Sequence, residues 1–418
     1  MTPSETSSIS ARVITQTSVC HFFTHLFMLA YPTIAVIQAE TWGVSVASLL
    51  PLTFPGFILY GLGSIPMGLW VDRMGGWLPM VLGMLGMGAG AMVCSMATVD
   101  SLWILTLGLG IIGLSASAYH PAGMSLITRT VKRSAWALGI NGSFGSAAIA
   151  LAPITAELLC EQWGWQQTFV LLAIPALFLG IACAFFPISH THELRDPPPP
   201  MPTAADIRSL FTPPFVLLCV AMALGGLVYR GNTLMFPTLF DHRVSWMSHG
   251  VATSIAYGMG ALMNVAGGYL AERFSFERVY LTLHLCGFPF LVATAWLTET
   301  PLLVVAAVYA ACAIGMQPAE NSLVAQLTPP SRRGIAFGIK FSMVFGVGAL
   351  AVPLVSALLS SKGLTAVQLS LSGSVAILVG VVTWLCIRLS RTNTPPPGAV
   401  AKRSIVSTSA RSDTGLDK

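Results

Sequence analysis

Charge is scarce in this chain: Asp, Glu, Lys and Arg together make up 9% of its 418 residues, against about 25% in an ordinary globular domain. Hydrophobic residues make up 54%. A domain of that composition has too little polar surface to face water on all sides, which excludes a soluble globular protein and places the chain in a bilayer. Short segments with period-two alternation, the mark of a membrane barrel, are also lacking, because the apolar runs are too long and too uniform. No Gly-rich loop follows a strand to cradle a phosphate, no nucleophile stands beside a base, and no complete metal-ligand set is spelled out. The reading is therefore of a protein that is not an enzyme, with no cofactor and no ATP motor. Cysteines number eight and lack paired spacing, so they read as small apolar packing residues rather than a disulfide framework. A cleavable signal peptide is lacking too, since residues 1–13 are polar and the first apolar run is long enough to stay in the membrane.

What the chain has is twelve apolar runs, near 15–37, 46–70, 77–97, 102–125, 135–157, 167–186, 214–238, 249–271, 278–298, 301–325, 335–357 and 367–388. Each is about the 20 residues that a helix needs to cross a bilayer. The basic residues gather in the tails and the even-numbered connections, and only Arg243 and Lys362 fall on the opposite side. By the positive-inside rule both termini are cytoplasmic, and the net charge of +5 reflects orientation rather than attraction to nucleic acid. The expected organisation is a polar N-terminal tail over 1–13, a six-helix bundle over 14–186, a Pro-rich cytoplasmic linker over 187–213, a second bundle over 214–389 and a disordered tail over 390–418.

The halves are copies. Gly68, Asp72 and Arg73 lie in a short hinge after the second run, and Gly268, Glu272 and Arg273 repeat them 200 residues later. Pro32 and Pro237 align at an offset of 205, which sets His25 opposite Arg230, and His120-Pro121-Ala122 matches Gln317-Pro318-Ala319 at an offset of 197. Ala137 to Asn141 likewise matches Ala336 to Lys340.

The hinge Gly68-Leu69-Trp70-Val71-Asp72-Arg73-Met74-Gly75-Gly76 resembles the cytoplasmic signature loop of the major facilitator superfamily, with Gly76 and Trp77 standing where that loop has two basic residues. The resemblance runs from residue 14 to about residue 389. It implies an all-α integral membrane fold of 12 transmembrane helices in two pseudo-symmetric six-helix bundles, with helices 1, 4, 7 and 10 lining a central cavity. It also implies a gating role for Gly68, Asp72, Arg73, Gly268, Glu272 and Arg273. Asp72 is expected to bond to the other half or to a nearby helix N-terminus, where a carboxylate is favoured. Helix 5, with Gly139, Gly142, Gly145 and Ala152-Pro153, looks like a worn form of the antiporter signature of drug exporters, its glycines letting backbones approach. His120-Pro121-Ala122-Gly123 resembles the fosmidomycin-resistance type of permease. The run from Cys20 to His25, with Tyr31-Pro32-Thr33, resembles the magnetosome-membrane permeases implicated in iron supply.

Ionisable groups inside a membrane helix are costly and usually face a cavity or a partner. The four lining helices carry His21, His25, His120, Arg230, Asn232, Gln317, Glu320 and Asn321, which read as one polar chamber; bridging of neighbouring helices is the plainer role for Asn232, Gln317 and Asn321. Glu320 and Lys340 both lie roughly 10 to 14 Å into the membrane at 1.5 Å per residue. They can pair and exchange a proton with the cavity, form a static ion pair, or leave Lys340 to snorkel to the interface. His21 and His25, at i and i+4, share a helix face and with His120 can chelate a divalent metal, relay a proton or receive an acidic group. The alternative is a set of hydrogen-bonded cavity histidines. Arg230 is expected to face the cavity beside a helix break at Gly231, drawing in an anionic substrate or a chelated metal. Met80, Met84, Met87, Met92 and Met96 are expected on one side of helix 3, as packing rather than a copper path.

The function read from all this is secondary transport of a small solute by alternating access, with iron transport into magnetosomes as the first cargo. A proton-coupled exporter of a drug or organic anion is the alternative, and a non-transporting membrane sensor or scaffold the third. The implied partners are the lipid bilayer and a small-molecule or metal-ion substrate, in a bacterial inner membrane or a magnetosome membrane.

Overall fold

The computed structural model describes residues 3–131, 134–187, 203–329 and 332–391. The proline run of the expected linker and the tail beyond Arg391 lie outside the described residues. The fold is all-α. The first half comprises α1 (Pro3–Trp42), α2 (Phe54–Met74), α3 (Trp77–Ser95), α4 (Leu102–Ala116), α5 (Tyr119–Thr130) and α6 (Ser134–Phe185). The second comprises α7 (Pro213–Arg243), α8 (His249–Arg273), α9 (Phe276–Ala293), α10 (Glu299–Gly315), α11 (Gln317–Gln326), α12 (Arg333–Phe341) and α13 (Ala351–Arg391). Eight helical stretches among the described residues are long and apolar enough to cross a membrane, and the chain is a multi-pass integral membrane protein.

Local sequence explains where these helices bend and break. The 52-residue α6 folds back at Gly164 (φ 79°) and the 41-residue α13 at Gly363 (φ 76°), a backbone region that glycine enters without a Cβ penalty. Pro121 and Pro318 occupy the same repeat position, and each follows the interruption between α4 and α5 or between α10 and α11. A proline there has no N–H for the carbonyl four residues back. Asn264 supplies the missing donor in the second half, its Nδ2 lying 3.4 Å from the Ile314 carbonyl.

Three expectations need correction. The helix of the first run begins at Pro3, so it extends through the stretch read as a polar tail; proline suits a first helical turn because its N–H is not needed there. α7 runs unbroken through Gly231, whose missing side chain makes room for Leu371. Met80, Met84 and Met87 are fully buried, whereas Met92 and Met96 are exposed. At about 100° per residue, Met92 has turned about 120° from Met80 and left the stripe.

The cores of the two halves merge at one end of the molecule and separate at the other. One buried cluster runs continuously from α1 residues such as Ile34 through Phe236 and Leu239 to Val355 and Leu371. A second, including Phe215, Tyr280, Leu323 and Leu385, belongs to the second half alone. At the merged end α6 packs on α8 and α1 on α7, while α2 packs against the turn of π-helix at Ser342–Gly346. The closest approach is backbone to backbone, for a Cβ on Gly61 would collide with the main chain of Gly346. Within the second half, a Cβ on Gly267 would collide with the Gly315 carbonyl. These contacts give different predictions. Gly267→Val should lower the melting temperature in detergent, because overpacking costs about 1–3 kcal/mol and backbone cannot move aside as a side chain can. Gly61→Val should leave each half folded and wedge the merged end apart, which a spin-label distance across that end would record.

Candidate functional site: a cavity between the halves

The end at which the cores separate holds a cavity of about 1070 Å³, lined by both halves. Its walls include Met124, Trp136 and Gly268, near the helix ends that carry Arg129 and Arg273, so it opens on the face expected to be cytoplasmic. It ends blindly around His25, Ile149 and Tyr229.

The first half brings His21, His25 and His120 together, with one ligand nitrogen from each lying within 4.8 Å of the others. Gly145 makes this possible, since a Cβ there would press on the His21 ring at 2.5 Å. Gly139 and Gly142 have no neighbour that a Cβ would meet and instead line the cavity, so the glycines of this helix shape the chamber rather than a backbone contact. His21 Nδ1 is 2.8 Å from the Asn141 carbonyl, which can only accept. The proton therefore sits on Nδ1 and Nε2 keeps its lone pair. His25 Nε2 lies 3.1 Å from that lone pair, and His120 Nε2 lies 2.9 Å from the Tyr60 hydroxyl. Asn141 is itself held, donating to the Tyr119 hydroxyl at 2.6 Å, while Tyr119 donates to the Thr17 carbonyl at 2.8 Å. Across the gap the His120 ring stacks on Phe341 at 4.8 Å.

The second half contributes the charge. Lys340 Nζ lies 2.7 Å from Glu320 Oε1, and both side chains are buried against the cavity. Lys340 also donates to Asn321 Oδ1, and the Tyr280 hydroxyl donates to Glu320 Oε2 at 2.9 Å. Next to Tyr280 stands His284, which lines the cavity with its Nε2 unpartnered. Immediately after Lys340 the helix widens into the π-turn at Ser342–Gly346, a local irregularity frequent at functional sites.

Of the residues expected in one polar chamber, His21, His25, His120, Gln317, Glu320 and Asn321 line the cavity, with Lys340. Arg230 and Asn232 do not: both are buried just beyond its blind end. The Arg230 guanidinium stacks on Phe57 of the other half, 3.6 Å from the ring centroid, and its Nε and Nη1 have no hydrogen-bond partner. Asn232 bridges helices, donating to the Val228 carbonyl at 3.0 Å and to the Tyr309 hydroxyl at 3.4 Å. The hinge residues end α2 and α8 at matching places, but Asp72 pairs with Arg129 of its own half at 2.9 Å and not with the other half. A half-exposed pair of that kind is worth about 0–1 kcal/mol and does not tie the halves together. Tyr60, Tyr119, Asn141, Tyr280 and His284 were not singled out as site residues. His284 was legible as an ionisable group in the apolar run 278–298, while the tyrosines look like any core aromatic until their hydroxyl partners are seen.

The model of the Major Facilitator Superfamily matches residues 17–339 and 250–414. A gentisate transporter of Corynebacterium glutamicum is 24% identical over 389 residues, covering 87% of this chain and 85% of that protein. The multidrug resistance protein MdtG of Citrobacter koseri is 25% identical over 356 residues, covering 80% of this chain and 84% of that one. Among solved structures, a bacterial homologue of the human lysosomal transporter Spinster, inward-facing and unoccupied, superposes with a TM-score of 0.68 at 17% identity, covering 91% of this chain and 95% of that one. A point mutant of the nucleoside transporter NupG superposes with a TM-score of 0.73 at 12% identity, covering 89% of this chain and 99% of that one. These likenesses in structure show the fold.

Proposed function

The chain belongs to the major facilitator superfamily, and from that premise we propose a secondary active transporter that moves a small organic anion, an aromatic carboxylate in particular, together with a proton. One observation carries the reading: among the described residues, Glu320 is the one acidic group in the cavity wall, and it is paired with Lys340, the one ammonium in that wall. While Glu320 is ionised, Lys340 is neutralised and the cavity has little pull on an anion. A proton on Glu320 releases Lys340 to bind a carboxylate, and a bound carboxylate in turn favours the proton, so the two ligands travel together by linkage. Phe341, Phe345 and Tyr229 add aromatic rings to the wall of the same cavity, which suits an aromatic acid, and the similarity to a gentisate transporter points the same way. The two halves, 14–186 and 214–389, rock about this cavity with both termini in the cytoplasm, in a bacterial inner membrane. The test is uptake of gentisate by the purified protein in liposomes. An inward proton gradient should accelerate uptake about 10-fold, the ratio set by one pH unit, and a protonophore should abolish the acceleration. Uptake indifferent to the gradient would overturn the reading.

The three histidines support a second reading, in which a divalent first-row ion such as Fe(II) is the cargo, as the resemblance to magnetosome-membrane permeases suggests. His21 donates its Nδ1 proton to a backbone carbonyl, which turns its Nε2 lone pair toward His25 Nε2 at 3.1 Å, the second-partner arrangement that orients metal-binding imidazoles. Metal–nitrogen bonds of about 2.0–2.1 Å need the three rings to close in by a small movement. His25→Ala should then remove most metal uptake, with His21→Ala close behind, and uptake should fall in acid, because a protonated imidazole cannot ligate a metal. Metal uptake unchanged in both variants rules out this cargo.

A further inference from the structure

At the closed end the halves are joined by a buried polar cluster that the transport reading leaves unused. Glu157 of α6 has a side chain 3% exposed and reaches across to the first turn of α8. The Gly250 N–H donates to its Oε1 at 2.9 Å, and the Ser248 hydroxyl donates to its Oε2. Glycine at 250 leaves room for this carboxylate, because a Cβ there would lie 2.7 Å from Glu157 Oε2 and 2.8 Å from its Cδ and would push the side chain aside. The first N–H groups of a helix have no partner within it and attract a carboxylate. Glu157 is thus a helix cap supplied by the opposite half.

His249 stands inside the same cluster, 10% exposed, with Nδ1 3.2 Å from Glu157 Oε1 and 3.5 Å from Asp241 Oδ1 of α7. Its Nε2 has no partner. The other charged groups near it are Glu40 at the end of α1 and His242, whose Nδ1 is 2.9 Å from the Thr238 carbonyl and 3.5 Å from Asp241 Oδ2. Arg243 is turned away onto the carbonyls of Thr294 and Ala295. One imidazole is therefore surrounded mainly by carboxylates, two of them within reach of a single nitrogen and belonging to different halves.

We infer that His249 is a proton-binding site between the halves, and that its imidazolium holds the closed end shut. With the proton bound, a cation bridges Glu157 of one half and Asp241 of the other. Without it, the two carboxylates face each other across a neutral ring, and the bonds from Glu157 to Ser248 and Gly250 hold the end alone. The inference rests on the alternating-access reading above and not on the identity of the cargo.

The test places spin labels across the closed end, at Val44→Cys and Ser361→Cys, in the full chain with the exposed Cys286 replaced and no cargo present. Between about pH 5.5 and about pH 8.5, either side of the ordinary imidazole value, the population at longer distance should rise several-fold. His249→Gln should flatten that response, Glu157→Gln should raise the longer population at every pH, and Glu320→Gln should leave the response intact. Identical distances across the pH range in the unmodified cluster would overturn the inference, as would a response that survives His249→Gln or vanishes with Glu320→Gln. The first of these needs no cluster variant, so a misfolded variant does not rescue the idea. Gly61→Val separates the two levels of the proposal: if it moves the labels while pH does not, His249 is no latch; if neither moves them, alternating access itself fails.

Discussion

Glu320→Gln is expected to abolish the stimulation of anion uptake by a proton gradient while leaving exchange of bound anion across the membrane intact. Glutamine has the shape and neutrality of the protonated acid, so Lys340, 2.7 Å from Glu320 Oε1, would be released at every pH. Anion affinity should then rise and lose its pH dependence, by about 10-fold for each pH unit between the assay and the midpoint of the parent curve. The converse variant behaves differently. Lys340→Gln leaves a buried carboxylate beside Tyr280 without its cation, which costs about 3–5 kcal/mol when a buried pair loses one partner. It should lower both the melting temperature and anion binding. Replacing both residues by Gln should recover the melting temperature and not the binding. A gradient response that persists in Glu320→Gln would show that the proton enters elsewhere.

Arg230→Met is expected to move stability and transport in opposite directions. The guanidinium is buried, stacks on Phe57, and among the described residues has no acidic partner, while Nε and Nη1 bond to nothing. A cation–π contact returns about 0.5–2 kcal/mol, less than removing a charge from water costs. An uncharged side chain of similar length should therefore stabilise the fold, by about 1–4 kcal/mol on the precedent of buried ion pairs replaced by apolar residues. The same change should slow anion transport by at least about 10-fold, because Arg230 sits one residue beyond Tyr229 at the blind end of the cavity, where its charge draws an anion toward the closed side. Both the melt and the flux are needed. A variant that melts lower and transports normally would make Arg230 a packing residue.

Part of the site was legible before any coordinates. His21 and His25 at i and i+4 had to share a face, and the similar depth of Glu320 and Lys340 allowed them to pair, although it equally allowed Lys340 to snorkel to the interface. Other assignments failed for a common reason. Arg230 stood on an expected lining helix and was placed in the cavity, but a helix has a full circumference and a length, and of α7 only Gly225, Gly226, Val228 and Tyr229 line the chamber. Asp72 was expected to bond to the other half or to a nearby helix N-terminus and instead pairs with Arg129, whose approach depends on how α5 lies against α2. Glu157, His249 and Asp241 drew no attention because each stands near a helix end, where a polar residue is ordinary.

Composition, hydropathy and the repeat were enough for an all-α membrane protein built from two related halves. Those are additive or periodic properties, written into each segment whatever its neighbours do. The proton on His21 Nδ1, the stack of Arg230 on Phe57 and the capping of α8 by Glu157 were decided only in three dimensions. Each joins residues more than 90 positions apart; the first depends on how α6 lies against α1 within one half, and the other two on how one half packs against the other, which no local preference specifies.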